Sequence, residues 1–457
     1  MRAIGARFVF VFLFVVYVLA GIWTADRSTP TGDEPYYFLG TDSLLRGEGF
    51  ELSERWYWLP TTDYAPGDFL PSDDFERSVA PSLLRRGRFP LHDVGLSILI
   101  APAYALGGRA AVNLIVAAAM AAAVALAFVV AARIVPSRDA ALGAALALGL
   151  AAPALTYSGQ VFPDAIAPLA VAVVLGAIAG VLPTWAAGLG VAALPFLHLR
   201  FWPLALGLAT LTVAVHRPRL RELMVLLVPT AVVVVALSAL DLAVYGVPLP
   251  HAGYLLFFAA RHDTSVATYA AVSSDGIAGM FVDRAFGLLP AAPIEILAFV
   301  GAGAALRNSF GRWLLASIFP YLLFVSFLDW TGGYSPQARY IAPLIPVLVP
   351  LVAFALTWTV ARLAAVPLFI WTLAQSAVYV HSPGLRYDAY GRLPGSDRAW
   401  ELAFGFRPSA AFPLLGSESD PALVLVALWS VALLGLVTLG ALACHSCVTR
   451  PTETSRA

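Results

Sequence analysis

The chain is written as apolar runs of near-bilayer length separated by short polar breaks. Runs dominated by Ala, Val, Leu, Ile and Phe cover residues 6–24, 110–132, 140–156, 163–181, 185–199, 202–216, 223–245, 286–306, 313–329, 340–358, 364–381 and 421–443. A spanning helix needs about 20 such residues, since each adds about 1.5 Å against hydrocarbon about 30 Å thick. The pattern therefore predicts an all-α polytopic membrane protein, a single integral membrane domain over 1–457 with about 12 transmembrane helices. The fourth to sixth runs are short, so the count carries a tolerance of one pair. The stretch Asp93–Gly108 is apolar but only about 16 residues long, and it reads as a helix at the membrane interface. The first run reads as a retained anchor rather than a cleaved leader.

The polar sequence is unevenly distributed between the two sides. Arg133, Arg138, Arg217, Arg219, Arg221, Arg307, Arg312 and Arg362 fall in short loops on the side shared with the N-terminus. Arginine density of that kind marks the cytoplasmic side. Twelve spans return the tail, 444–457, to the cytoplasm as well. The first external loop with its interfacial helices, 25–108, is the longest, and Asp and Glu outnumber Arg in its first 68 residues, 25–92. Further external loops cover 246–285 and 382–420, so any chemistry is expected to face outward.

Composition agrees. The chain is 60% hydrophobic and 12% charged, against about 25% charged in soluble domains. All 28 basic residues are Arg, balanced by 28 acidic ones. Nothing marks a nucleic-acid binder, and arginine without lysine points to a GC-rich bacterial genome and a cytoplasmic (inner) membrane. Cys444 and Cys447 are the only cysteines. They have half the spacing of a zinc site and no second pair to complete it, and they provide no disulfide framework.

The strongest local signal is Gly32-Asp33-Glu34-Pro35-Tyr36-Tyr37, just beyond the first run. Adjacent carboxylates at a membrane surface repel and lose solvation, which raises at least one pKa and suits a general base or cation ligand. The competing reading is a helix start, with Asp33 as N-cap before a proline in the first turn. Asp164 in Phe162-Pro163-Asp164 carries the same two readings. Glu295 lies inside a run and should face the protein interior. Asp241 and Asp329, near the outer ends of their runs, read as anchors, and Trp56, Trp58, Trp330, Trp358 and Trp400 as interfacial aromatics.

An acidic pair just after the first span, in a long first external loop of a polytopic chain, resembles the GT-C glycosyltransferases. That superfamily includes protein O-mannosyltransferases and the aminoarabinose and arabinosyl transferases. His92-Asp93-Val94-Gly95-Leu96 with Ala101-Pro102-Ala103-Tyr104-Ala105-Leu106-Gly107-Gly108 is similar to the family's His/Lys-Pro-Pro-Gly segment and interfacial helix, without the two prolines. Tyr157 with Phe162-Pro163-Asp164 resembles its second acidic site. Leu197-His198-Leu199-Arg200-Phe201, Tyr245-Gly246-Val247-Pro248-Leu249-Pro250, Phe286-Gly287-Leu288-Leu289-Pro290 and Gly332-Gly333-Tyr334-Ser335-Pro336-Gln337-Ala338-Arg339-Tyr340 look like segments of its bacterial members.

The resemblance implies a GT-C-like bundle that transfers a sugar from a polyprenyl-phosphate donor to an acceptor hydroxyl on the external face, with inversion. Asp33 would be the general base, with Glu34 its neighbouring candidate. Asp164 would shape the acceptor pocket or help hold a divalent cation; metal use stays open. Arginine's planar fork suits a leaving phosphate, which assigns Arg339 and Arg200, with His198 beside Arg200. Each arginine has a second reading as an interfacial residue that snorkels toward headgroups or pairs with a loop acid. His92, Tyr340 and Tyr157 are weaker candidates, and His92 reads first as a hydrogen-bonded loop residue. The partners implied are a polyprenyl-phosphate-linked sugar and the bilayer. Two other classes compete: a twelve-span secondary transporter, which would carry midplane sites on broken helices, and a non-catalytic polyprenyl-lipid-binding scaffold.

Overall fold

The computed structural model describes residues 2–25, 27–28, 30, 32–52, 79–81, 88–90, 92–254, 256, 276–327, 335–386, 395–407, 411–415 and 420–443. Asp329, Trp56, Trp58, Trp330, Cys444 and Cys447 lie outside them. The chain opens with α1 (Arg2–Ala25) and α2 (Glu34–Leu45), then a small antiparallel ribbon of β1 (Val79–Pro81) and β2 (Arg88–Pro90) that pairs Ala80 with Phe89. The ribbon is an addition to the all-helical expectation. Next come α3 (Val94–Ile134), α4 (Arg138–Gly149), α5 (Ala152–Tyr157), α6 (Pro163–Ile178), α7 (Thr184–Leu197), a 3-10 turn at Leu199–Phe201, α8 (Trp202–His216) and α9 (Leu220–Tyr245). The second half holds α10 (Gly276–Val282), α11 (Leu288–Ala291), a 3-10 turn at Pro293–Ile296, α12 (Leu297–Ala305) and α13 (Ser309–Phe327). It ends with a 3-10 turn at Arg339–Leu344, α14 (Ile345–Ala355), α15 (Thr359–His381), a turn at Pro383–Arg386, α16 (Gly395–Phe404) and α17 (Asp420–Ala443).

Each apolar run carries helix, but only 7 helices among the described residues are long and apolar enough to cross a membrane. They make this a multi-pass membrane protein. The other runs hold short or interrupted helices: α4 stops at Gly149 and α5 restarts with Pro153 in its first turn, and Pro293 separates α11 from α12. Proline supplies no N–H, so it opens a helix readily and interrupts one already running. Twelve full spans are not confirmed. Within α3 the helix breaks at Gly107 and Gly108, the latter at φ 57, so residues 94–106 form a separate segment from the long run that follows.

The centre of the bundle is α3, α6 and α14, flanked by α1, α4, α7 and α12. Its lining is mostly buried Ala, Val and Leu. The outer helices α9, α15 and α17 turn Val235, Val366, Val431 and Leu434 away from the protein, as lipid-facing helices do. Small residues let the central backbones touch, the usual basis of helix association in lipid. A Cβ on Gly301 of α12 would lie 1.7 Å from the Leu351 carbonyl oxygen of α14. One on Gly95, at the start of α3, would lie 1.7 Å from the carbonyl of Phe196 in α7.

Candidate active site

Four residues far apart in sequence meet at one end of the bundle. Asp164 sits in the first turn of α6 and is fully buried. Its Oδ2 accepts from Arg200 Nη2 and, at 3.0 Å, from Arg339 Nε. Arg339 Nη2 in turn donates to Asp33. The result is an alternating chain Asp33–Arg339–Asp164–Arg200, with two negative and two positive charges. Both arginines are about 95% buried, too deep to snorkel, but their pairing with acids is what the second reading also allowed.

Local structure aims each member. Asp33 occupies the N-cap position of α2, and Asp164 lies just past Phe162, the N-cap of α6, but neither cap side chain bonds its helix. The carboxylates go to arginine, so the capping reading fails for both. Arg339 follows Ala338, whose φ of 57 places a non-glycine residue in the left-handed region. That conformation costs on the order of 1–2 kcal/mol. It is held by Ala338 N–H donating to the Phe286 carbonyl at 2.8 Å. Tyr157 Oη donates to the Pro336 carbonyl at 2.7 Å, pinning the same segment. Tyr321 Oη donates to the Tyr340 carbonyl at 2.9 Å, and the Tyr340 ring centroid lies 5.5 Å from the Arg200 guanidinium. Tyr157 and Tyr340 thus brace the arginines.

The adjacent acids part company. Glu34 turns away from Asp33 and accepts the Val161 N–H at 2.7 Å, tying α2 to the turn before α6. Burial opposes ionisation of Asp33, yet the charges of Arg339 and His92 outweigh it and hold the carboxyl below the usual carboxylate value. This reverses the expected upward shift: the nearest charge to Asp33 is a guanidinium. His92 packs against the rings of Tyr36 and Tyr37, at 5.0 and 5.6 Å, and burial lowers its pKa. Its Nδ1 has no partner among the described residues. Two buried atoms of the charge chain are likewise unpartnered among the described residues, Asp164 Oδ1 and Arg200 Nε. An acceptor and a donor therefore remain for a ligand. A divalent cation does not fit the described site: a guanidinium lies between Asp33 and Asp164, and no group of three His, Cys, Asp or Glu gathers among the described residues.

Of a second layer, the sequence singled out His198 but not its partners Asp93, His251, Trp202 and Tyr254. Asp93, the N-cap of α3, accepts the Leu199 N–H at 2.7 Å through Oδ2, and its Oδ1 pairs with His251 Nδ1. His198 Nδ1 lies 3.4 Å from Asp93 Oδ2 and accepts the Arg200 backbone N–H at 3.2 Å. His198 Nε2 lies 2.9 Å from the Tyr254 hydroxyl and 3.2 Å from Arg200 Nη1. Trp202 Nε1 donates to His251 Nε2 at 3.0 Å. Burial pulls the His251 pKa down, but the charge and hydrogen bond of Asp93 bring it above the ordinary imidazole value. Beside this layer lies a small cleft of ≈ 20 Å³ lined by His92, Asp93, Asp241, Tyr245, His251 and Leu237, among others. Asp241 anchors its rim, accepting the Ala252 N–H at 3.0 Å. The available signal was the carboxylate of Asp93 beside His92, and a histidine following Pro248-Leu249-Pro250.

Two further expectations lie away from the site. Glu295 is fully buried in the turn before α12, inward-facing as expected, with both carboxyl oxygens unpartnered among the described residues. Trp400 is buried rather than interfacial, its Nε1 donating to Gln375, whereas Trp358 is the N-cap of α15.

No family model and no curated relative matches the chain. Among solved structures it is similar to the archaeal oligosaccharyltransferase AglB from Archaeoglobus fulgidus, in complex with an inhibitory peptide and a dolichol-phosphate. The identity is 14% and the TM-score 0.39, over 97% of this chain and 57% of that one. The chain thus spans little more than half that enzyme's length. A superposition this loose carries no functional weight, and the chemistry has to be read from the geometry of the site itself.

Proposed function

We propose that the protein is a GT-C-type membrane glycosyltransferase that moves a sugar from a polyprenyl-phosphate donor to an acceptor hydroxyl on the external face of the cytoplasmic membrane. The observation that supports it is the buried charge chain: an ionised carboxylate, Asp33, lies against Arg339, which Asp164 joins to Arg200, the second arginine suited to a phosphate. Asp33 takes the acceptor proton as the acceptor oxygen bonds the anomeric carbon. The bond from that carbon to the phosphate oxygen breaks, and the lipid phosphate leaves with the electron pair. Arg339 and Arg200 receive its charge, which their fixed donors stabilise without reorganising. Glu34 positions Asp33 by anchoring α2, and Asp164 holds the two arginines together.

The test is donor turnover by the wild type and Asp33→Asn in proteoliposomes, with polyprenyl-phosphate mannose, glucose, arabinose and galactose. A general base contributes about 10²–10⁴-fold, so the folded variant should lose at least a hundredfold. If folded wild-type protein neither turns over nor binds any of these lipids, the reading is wrong.

A further inference from the structure

The indole N–H of a tryptophan can only donate. Because Trp202 Nε1 donates to His251 Nε2, that nitrogen carries no proton, and the ring proton sits on Nδ1, facing Asp93. We propose that His251 is a positioning residue: its neutral Nδ1–H form links Asp93 to Trp202 and thereby holds the His198–Arg200 turn with the Arg200 guanidinium on Asp164. The proposal rests on the glycosyltransferase reading only in what Arg200 is positioned for; the linkage itself does not.

The geometry is a closed loop of contacts. Asp93 fixes the turn from one side through the Leu199 N–H. Trp202 is the first residue of α8, directly after the turn. His251 bridges the two from the 246–254 segment, and Tyr254 of the same segment reaches His198. His251 is held there at φ 67, a left-handed conformation that a residue keeps only when its surroundings demand it. Protonation of Nε2 would set N–H against N–H at Trp202 and remove one side of the loop. The charged and titratable groups facing the ring are Asp93 from the start of α3, Asp241 and Tyr245 from α9, His198 from the turn, and His92 across the cleft. Both carboxylates favour the imidazolium. The change therefore falls above the ordinary imidazole value near 6.5, with the competent form on its alkaline side.

The test is hydrogen exchange, corrected for intrinsic rates, across a pH series on full-length protein in nanodiscs. In the wild type, residues 196–202 and 249–254 should loosen together as pH falls. His251→Asn tolerates the left-handed backbone and keeps an N–H for Asp93 but does not titrate, so it should lose that transition. Trp202→Phe removes the bond that protonation breaks, so it should leave both segments loosened across the series, with no transition. Identical pH profiles in wild type and either variant overturn the proposal. With a turned-over donor, the acid limb of kcat should vanish in His251→Asn while alkaline turnover persists; an unchanged limb also overturns it. Absence of turnover in every variant counts against the glycosyltransferase reading alone, because exchange reports the linkage directly.

Discussion

Arg339 is shared by two carboxylates, and its removal leaves Asp33 and Asp164 facing each other with no cation between them. Breaking a buried ion pair from one side costs about 3–5 kcal/mol. Arg339→Met should therefore lower the melting temperature in detergent, and Asp33→Asn in the same molecule should return part of the loss. Additive losses would show that the two side chains do not interact. The pH behaviour of Asp33 follows from its lowered pKa. Its pairing contributes stability that is present above the unfolded carboxylate value near 3.9 and is lost as pH falls through the lower folded value. An activity limb near neutrality thus belongs to another group, and His251, raised above its ordinary value, is the one in place. The main charged residues were legible because Asp33, Asp164, Arg200 and Arg339 each sit beside glycine, proline or aromatics at the edge of an apolar run. The separate roles of Asp33 and Glu34 were not, since neighbours in a helix start point in different directions and only the packed chain shows where. The partnership of Asp93 with His251 was hidden as well: 158 residues separate them, and neither stands in a motif that names the other.

At the scale of helices, Gly95 is the tightest joint near the site. It lies two residues after Asp93, and any Cβ there would press on the backbone of α7 at Phe196, two residues before the His198–Arg200 turn begins. Gly95→Ala should cost about 1–3 kcal/mol by overpacking. It should also depress turnover more than the alanine substitution of Gly143, whose Cβ would meet only the flexible end of Leu356 at 3.7 Å. Comparable melting and kinetics in the two variants would deny the joint its role. Existence of helices over the apolar runs was plain from the sequence, whereas their interruptions were not. Hydropathy does not change where α4 gives way to α5 or α11 to α12. The breaks are set by proline and by what the neighbouring helices will accommodate.

For the whole molecule, the face opposite the arginine-dense short loops, which includes 25–108, is expected to be external. With the native cysteines replaced by alanine, Glu48→Cys should react with an impermeant thiol reagent on intact cells, and Arg307→Cys only after permeabilisation. The opposite result would invert the topology. The short central helices have a consequence for depth. At about 1.5 Å per residue, α6 with 16 residues and α7 with 14 reach only about 24 and 21 Å, against hydrocarbon about 30 Å thick. Their far ends emerge at exposed Gly180 and Trp185, while the ends bearing Asp164 and His198 are buried. With those far ends at one headgroup layer, the shortfall would fall on the side of the charges, and the charge chain would rest at the floor of a well sunk below the opposite headgroups. A lipid-borne phosphate could reach that floor by diffusing sideways at its own depth, so its tail need never be drawn into water, and only the acceptor would have to descend.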